Sequence, residues 1–316
     1  MELDQFWSAR VVIVAGKGGV GKTTVTAAMA TAAARAGMSV LIVEVEGKSG
    51  LTSAFGRPSL VYEETELAPG VRARTLTPDE ALVDYLQGSG MRRISGRLAR
   101  SGALDVVATA VPGMQDILVL GKVKQLERER RADLVLVDAP AAGHAVTFLT
   151  SAQGLLDAVR VGPVRRQAAD VVELLHDPAR CQVMLVTVPE ETPVNELVET
   201  AFSVEDRAGV ALGPVVVNGV YPEFSGSFPS DPSTDQIRKD AEVLDVFVSD
   251  REAEHLVAAA GFRAERESLQ RRQIERLAAR LPLPQVELPF VFTADVGPEA
   301  LDVLAEALTD QIEALS

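Results

Sequence analysis

Residues 16–24 read GKGGVGKTT, and this stretch constrains the fold more than any other. Gly16 to Thr23 matches G-x-x-x-x-G-K-[ST], a pattern expected by chance in roughly one chain in a hundred of this length. The run before it, RVVIVA (10–15), is apolar and β-branched, which predicts a strand buried on both faces. The run after it, TTVTAAMATAAARAG (23–37), is alanine-rich and ends on Gly37, which predicts a helix with a glycine C-cap. A strand that delivers such a loop into a helix N-terminus is the layout of a phosphate-binding loop. From Gly16 through Gly18, Gly19, Val20 and Gly21 to Thr24, backbone N–H groups can curl around a phosphate, and the helix end adds positive potential. Lys22 is expected to reach the β- and γ-phosphates of ATP, and the Thr23 hydroxyl to ligate Mg2+.

The rest of the chain continues the alternation of strand and helix. SVLIVEVE (39–46), DLVLVDAP (133–140), CQVMLVTV (181–188) and PVVVNGV (214–220) read as strands, and QVELPFV (285–291) as a last short extended piece. Residues 78–131 and 193–207 read as mostly helical, 235–280 as one or two amphipathic helices, and a helix is expected from Pro298 to the end. The predicted class is α/β: a doubly wound, mostly parallel sheet with helices on both faces. We expect one domain over 1–316, with helical insertions at 78–131 and 235–280. YPEFSGSFPSDPST (221–234), rich in Pro, Ser and Gly, is the best candidate for a mobile loop.

Composition narrows the partners. The 316 residues carry a net charge of −14, which opposes a nucleic-acid backbone but not a nucleotide held in a local pocket. One cysteine, Cys181, allows neither an internal disulfide nor a thiolate metal cluster within one chain. MELDQFWSAR lacks the basic start and apolar run of a signal peptide, and the uncharged stretch 139–156 is broken by proline and glycine. A cytoplasmic protein is the expectation.

A second lysine, Lys17, sits inside the loop, where its own phosphates do not need it. GKGGVGKT resembles the deviant phosphate loop of one NTPase class, which includes partition and cell-division ATPases, nitrogenase iron protein, and the arsenite-pump (ArsA) and guided-entry tail-anchored-protein targeting ATPases. In that class the early lysine contacts nucleotide across a dimer interface. EVEGKSGLTSAFG (44–56) resembles the switch I pattern S-T-D-P-A-H-S-L-S-D-A-F of the last two groups. Glu46 falls on the acid that positions or activates the attacking water. It replaces Asp, and Gly47-Lys48-Ser49 replaces Pro-Ala-His. DAPAAGHAVTFL (138–149) resembles their switch II, D-T-A-P-T-G-H-T-x-R-F-L, with the proline one place early. There the resemblance assigns Asp138 a water of the Mg2+ shell, Gly143 a backbone N–H for the γ-phosphate, and His144 switch coupling. VVVNGVYP (215–222) and ELPFVFTADVGPEAL (287–301) resemble the adenine-site segments, implying that Asn218 reads the base and that Pro289, Phe290 and Val291 lie beside it.

The resemblance to the ArsA/targeting ATPases, bacterial type, covers nearly the whole chain. It implies an ATPase, expected to be slow because glutamate replaces aspartate, with Lys17, Lys22 and Glu46 as catalytic residues and ATP and Mg2+ as ligands. The implied partners are a second subunit, in a homodimer or a heterodimer with a paralogue, with higher oligomers open, and an unidentified protein client. Membrane contact stays open, but not integral insertion. ALDVVATAVPGMQDILVLG (103–121) reads first as core packing and second as a client surface; MRRISGRLAR (91–100) reads as a solvated basic face or a contact for an acidic partner. Three rivals remain: a nucleotide-binding partner subunit with little or no hydrolysis, a partition or positioning ATPase, and the motor of a metalloid pump. A soft trivalent metalloid needs several thiolates, which one cysteine cannot supply.

Overall fold

The computed structural model describes residues 6, 8–45, 50–57, 59–88, 113–222 and 232–314. Their strands are Val11–Gly16 (β1), Val40–Val45 (β2), Thr65–Ala68 (β3), Val71–Leu76 (β4), Leu134–Ala141 (β5), Cys181–Thr187 (β6), Ala211–Leu212 (β7), Val215–Val220 (β8) and Gln285–Pro289 (β9). They join in one sheet of order β3-β4-β2-β5-β1-β6-β8-β9, with β7 beside β6. Among these pairings only β3–β4 is antiparallel. β1 is central, flanked by β5 and β6, so the loop leaving it opens where the strand order reverses, the usual ligand position in such sheets.

The helices are Lys22–Arg35 (α1), Gly50–Ala54 (α2), Pro78–Gly88 (α3), Met114–Arg128 (α4), Ala142–Ala158 (α5), Pro163–Leu175 (α6), Glu191–Ser203 (α7), Thr234–Val243 (α8), Asp250–Arg280 (α9) and Pro298–Ala314 (α10). Strand alternation divides the core between the two faces. Val12, Val14, Ile42 and Leu136 pack with Val25 and Met29 of α1 and with Leu304 and Leu308 of α10. Ile13, Leu41, Val43 and Val137 pack on the other side with Leu120 of α4, Phe148 of α5, Leu174 of α6 and Leu197 of α7. Each such aliphatic side chain, fully buried, stabilises the fold by about 1.5–3 kcal/mol.

The predicted strands form with ends shifted by a residue or so, and Gly37, at φ +90°, closes α1 as expected. Met38 N–H donates to the Ala33 carbonyl there, satisfying the helix end. The segment 235–280 forms two helices; α9 begins with a capping box in which the Ser249 hydroxyl accepts from Glu252 N–H and the Glu252 carboxylate accepts from Ser249 N–H. Residues 114–121 enter the core through Ile117, Val119 and Leu120, the core-packing alternative. Residues 103–112, the basic segment 91–100 and most of 221–234 lie outside the described residues. The elements not anticipated are the β3–β4 hairpin, which turns on Gly70 at φ +78°, the short α2 and β7, and α5 and α6, which fill the gap between β5 and β6. The helix expected at 193–207 starts earlier, at Glu191, and ends in a wider π-turn, Val204–Ala208, closed by Gly209 at φ +63°. Among the described residues no helix is long and apolar enough to cross a membrane.

Candidate functional site

The site is built at the carboxyl ends of β1, β5 and β2. Gly16 ends β1 with no room for a side chain: a Cβ there would come within 2.3 Å of the Val186 carbonyl oxygen. Gly19 and Gly21 hold φ +85° and +88°, which glycine adopts without strain. At Gly18 an added Cβ would meet nothing within 4 Å, so packing does not demand glycine there. Gly21 is the N-cap of α1, and no side chain caps that helix end. Its first N–H groups therefore face the loop, a ready anion site.

Lys22 arches back over the loop, its Nζ donating to the Lys17 carbonyl at 3.2 Å. The Thr23 hydroxyl donates to Asp138 Oδ2 at 2.7 Å. Asp138 is 6% exposed and stands on the α1 face of the sheet, in the same alternating row as Leu134 and Leu136. The N-terminus of α2 closes over this corner, with an added Gly50 Cβ lying 3.5 Å from the Thr23 methyl. Glu44 joins this corner, although no motif assigns it a role. It pairs in register with Asp138 across β2–β5, is 3% exposed, and accepts a hydrogen bond from the Thr75 hydroxyl at 3.2 Å. A charged residue inside an otherwise apolar strand, two places before Glu46, was the available signal. Glu46 itself lies outside the described residues.

Lys17 is turned away from the loop and ion-paired to Glu196 of α7. Asn218, within β8, donates its Nδ2 to the Val20 carbonyl at 2.9 Å and so braces the loop. Pro289 pairs with Val220, Phe290 N–H donates to the Val220 carbonyl at 2.7 Å, and Val291 is partly buried against the α1-side core. Phe290 sits in a ring cluster with Tyr221 (centroids 5.3 Å apart) and Phe292 (4.9 Å), with the Arg263 guanidinium 5.7 Å above Tyr221. The adenine-site candidates thus share one edge with the loop. Gly143 and His144 occupy the exposed first turn of α5, just beyond Asp138. Burial pushes the nearby Asp116 carboxyl above its ordinary range, and His144 pulls it partly back.

Cys181 lies away from this edge, buried at the start of β6, its thiol pushed up to about 12 by desolvation. Among the described residues no group of three or more His, Cys, Asp or Glu could hold a metal by itself.

A parallel sheet whose central strand runs through a glycine loop into a lysine- and threonine-led helix, with an acid ending the neighbouring strand, defines a P-loop NTPase fold. The comparisons narrow the class. Residues 9–161 match the family described as Anion-transporting ATPase. The chain is 32% identical over 323 residues to ATPase BagA of Mycobacterium tuberculosis (strain ATCC 25618 / H37Rv), across 96% of this chain and 93% of that protein. It is 26% identical over 243 residues to a putative arsenical pump-driving ATPase of Halobacterium salinarum, across 71% of this chain and 38% of that one. It is 29% identical over 145 residues to ATPase get3 of Schizosaccharomyces japonicus, across 45% and 44% of the two chains. The chain belongs to the anion-transporting (ArsA) ATPase family.

Proposed function

We propose that this protein is a dimeric ATP-driven switch that couples Mg·ATP-dependent closure to binding or release of a protein client in the cytoplasm. The observation that carries the reading is the Thr23 hydroxyl held 2.7 Å from the Asp138 carboxylate at the N-terminus of α1, with Lys22 folded over the loop beside it. Two hard oxygen donors at an anion-binding helix end suit Mg2+, which keeps waters and takes further oxygens from phosphates. An ion held there would supply positive charge to offset that of the phosphates.

In this reading the chain's own groups divide the work. The backbone from Gly16 to Thr24 cradles the phosphates, Lys22 leaves the Lys17 carbonyl for the γ-phosphate, and Asp138 orients a water of the ion. The Gly143 N–H, in the uncapped first turn of α5, meets the γ-phosphate; Glu46 orients the attacking water. Asn218 offers its amide carbonyl to the adenine while its Nδ2 holds Val20, and Pro289, Phe290 and Val291 flank the base. Lys17 serves the partner subunit's nucleotide.

The helical segments carry the client in this reading. Supporting it, an apolar groove of about 420 Å³ runs between α8 and α9, lined by Ile237, Leu244, Val246 and Leu256, and Phe247, next in sequence to Val246, is 90% exposed. Surface of this kind marks contact sites more often than solvent-facing helices.

Calorimetric titration with ATP and ADP, together with phosphate release, tests the proposal. Wild type binds both nucleotides and turns over slowly, Lys22→Ala loses binding, and Glu46→Gln accumulates an ATP-bound closed dimer that retains client in a pull-down. A wild type that binds no nucleotide at millimolar concentration defeats the reading. Glutamate in place of aspartate at position 46 favours one second reading, a partner subunit that binds ATP without hydrolysing it; absence of turnover, alone and with any paralogue, selects it.

A further inference from the structure

Glu44 is a buried carboxylate for which the phosphate cradle has no use. Its position follows from the period of the strand: Val40, Ile42 and Glu44 alternate onto the α1 face, as Leu134, Leu136 and Asp138 do on β5. The parallel register sets Glu44 opposite Asp138 on one side and opposite Thr75 on the other. Neighbouring strands run about 4.8 Å apart, so Glu44 and Asp138 emerge side by side above the last apolar layer, where Thr23 meets Asp138. Both are almost fully enclosed, 3% and 6% exposed. Two adjacent carboxylates in a poorly solvated place repel each other, and the repulsion grows as the dielectric falls. The Thr75 hydroxyl, donating to Glu44 Oε2 at 3.2 Å, fixes one oxygen toward β4. Arg74, the next residue along, alternates to the opposite face, where its guanidinium lies 4.3 Å over the Tyr62 ring.

We propose that Glu44 is a positioning residue of the magnesium site: together with Asp138 it orders the water shell of the ion that Thr23 ligates, and Thr75 holds it in place for that task. This inference rests on the nucleotide reading given above. It also gives β2 a direct part in metal binding, through the strand that leads into residues 46–49. A divalent cation beside the pair would turn repulsion between the carboxylates into attraction.

The test is binding of Mn2+, used in place of Mg2+, to the protein saturated with ADP, with free Mn2+ read by electron paramagnetic resonance. Glu44→Gln is expected to weaken Mn2+ binding about tenfold, the scale on which outer-shell partners act, while metal-free ADP binding stays within twofold of wild type. Glu44→Asp restores part of the affinity. If Glu44→Gln binds Mn2+ like wild type, the inference is overturned while the nucleotide reading stands; if wild type binds neither ADP nor Mn2+·ADP, the nucleotide reading itself has failed. Should Glu44→Gln not fold by circular dichroism, Thr75→Val, which removes the holding hydrogen bond and keeps the shape, replaces it. A loss of Mn2+ affinity in Thr75→Val with ADP binding retained supports the proposal, and unchanged Mn2+ affinity overturns it.

Discussion

Lys17, the lysine inside the glycine loop, is ion-paired to Glu196 on α7, 179 residues later in the chain. The pair is partly exposed, 35% and 43% for the two side chains, so it contributes little to folding, about 0.2–1 kcal/mol. Its consequence is positional: the amine proposed to serve the partner's nucleotide is held by its own subunit in the single chain, and closure must release it. Lys17→Ala is therefore expected to keep nucleotide affinity and to lose ATP-dependent dimerisation and turnover. Glu196→Gln removes the competitor and is expected to strengthen ATP-dependent dimerisation about 1.4- to fivefold, the factor that an exposed ion pair of that size represents. Light scattering behind size-exclusion chromatography with a non-hydrolysable ATP analogue reads both. Wild-type turnover in Lys17→Ala would refute the cross-dimer role.

Asn218 and Gly21 are fitted to each other. The amide braces Val20, and a Cβ on residue 21 would come within 2.3 Å of Asn218 Nδ2, at a backbone φ of +88°. Gly21→Ala is expected to destabilise the fold by about 1–3 kcal/mol through overpacking, with a further penalty for left-handed geometry. Asn218→Ala loses one hydrogen bond, about 1 kcal/mol. Because the two share a contact, the double variant should cost less than the sum. Urea unfolding of the four proteins checks this, and strict additivity would show that the contact does not form.

Asp133 provides a pH-dependent increment remote from the site. Its carboxylate accepts from the Ser39 hydroxyl at 2.6 Å and the Ser39 N–H at 2.8 Å, and these bonds hold it below the usual carboxylate range. A carboxyl depressed in the folded state stabilises it fully above the unfolded value, about pH 4, and the contribution is lost as pH falls through the folded value. Asp133→Asn should thus be less stable than wild type at pH 7, and the gap should narrow below pH 4. A gap that is constant over that range would exclude the linkage.

Cys181 should be silent. Enclosed at the start of β6, with its thiol pushed up to about 12, it offers no thiolate to a metalloid or to a disulfide reagent. Ellman's reagent is expected to label it only after unfolding, and arsenite to leave ATP turnover unchanged. Stimulation by arsenite would revive the pump-motor alternative.

How much of this was legible in the sequence varies by residue. Gly16 to Thr24 could be read directly because a phosphate loop is a local object, made by consecutive residues with defined backbone needs. The flanking strand and helix carry their own patterns, an apolar β-branched run and an alanine-rich run, and both formed where expected. Gly70's hairpin and α6 escaped notice because their segments are short or of mixed polarity, and burial against neighbours decided their state.

The sequence by itself determined a parallel α/β sheet led by a glycine loop, since strand period, helix composition and loop chemistry all act within a dozen residues. Only the tertiary structure decided that Glu44 stands beside Asp138, that Asn218 braces Val20, and that Glu196 holds Lys17. Each joins residues far apart in the chain. The physical reason is strand order: placing β1 between β5 and β6, with β2 beyond β5, brings their carboxyl ends to one edge, and no local pattern encodes which strands become neighbours.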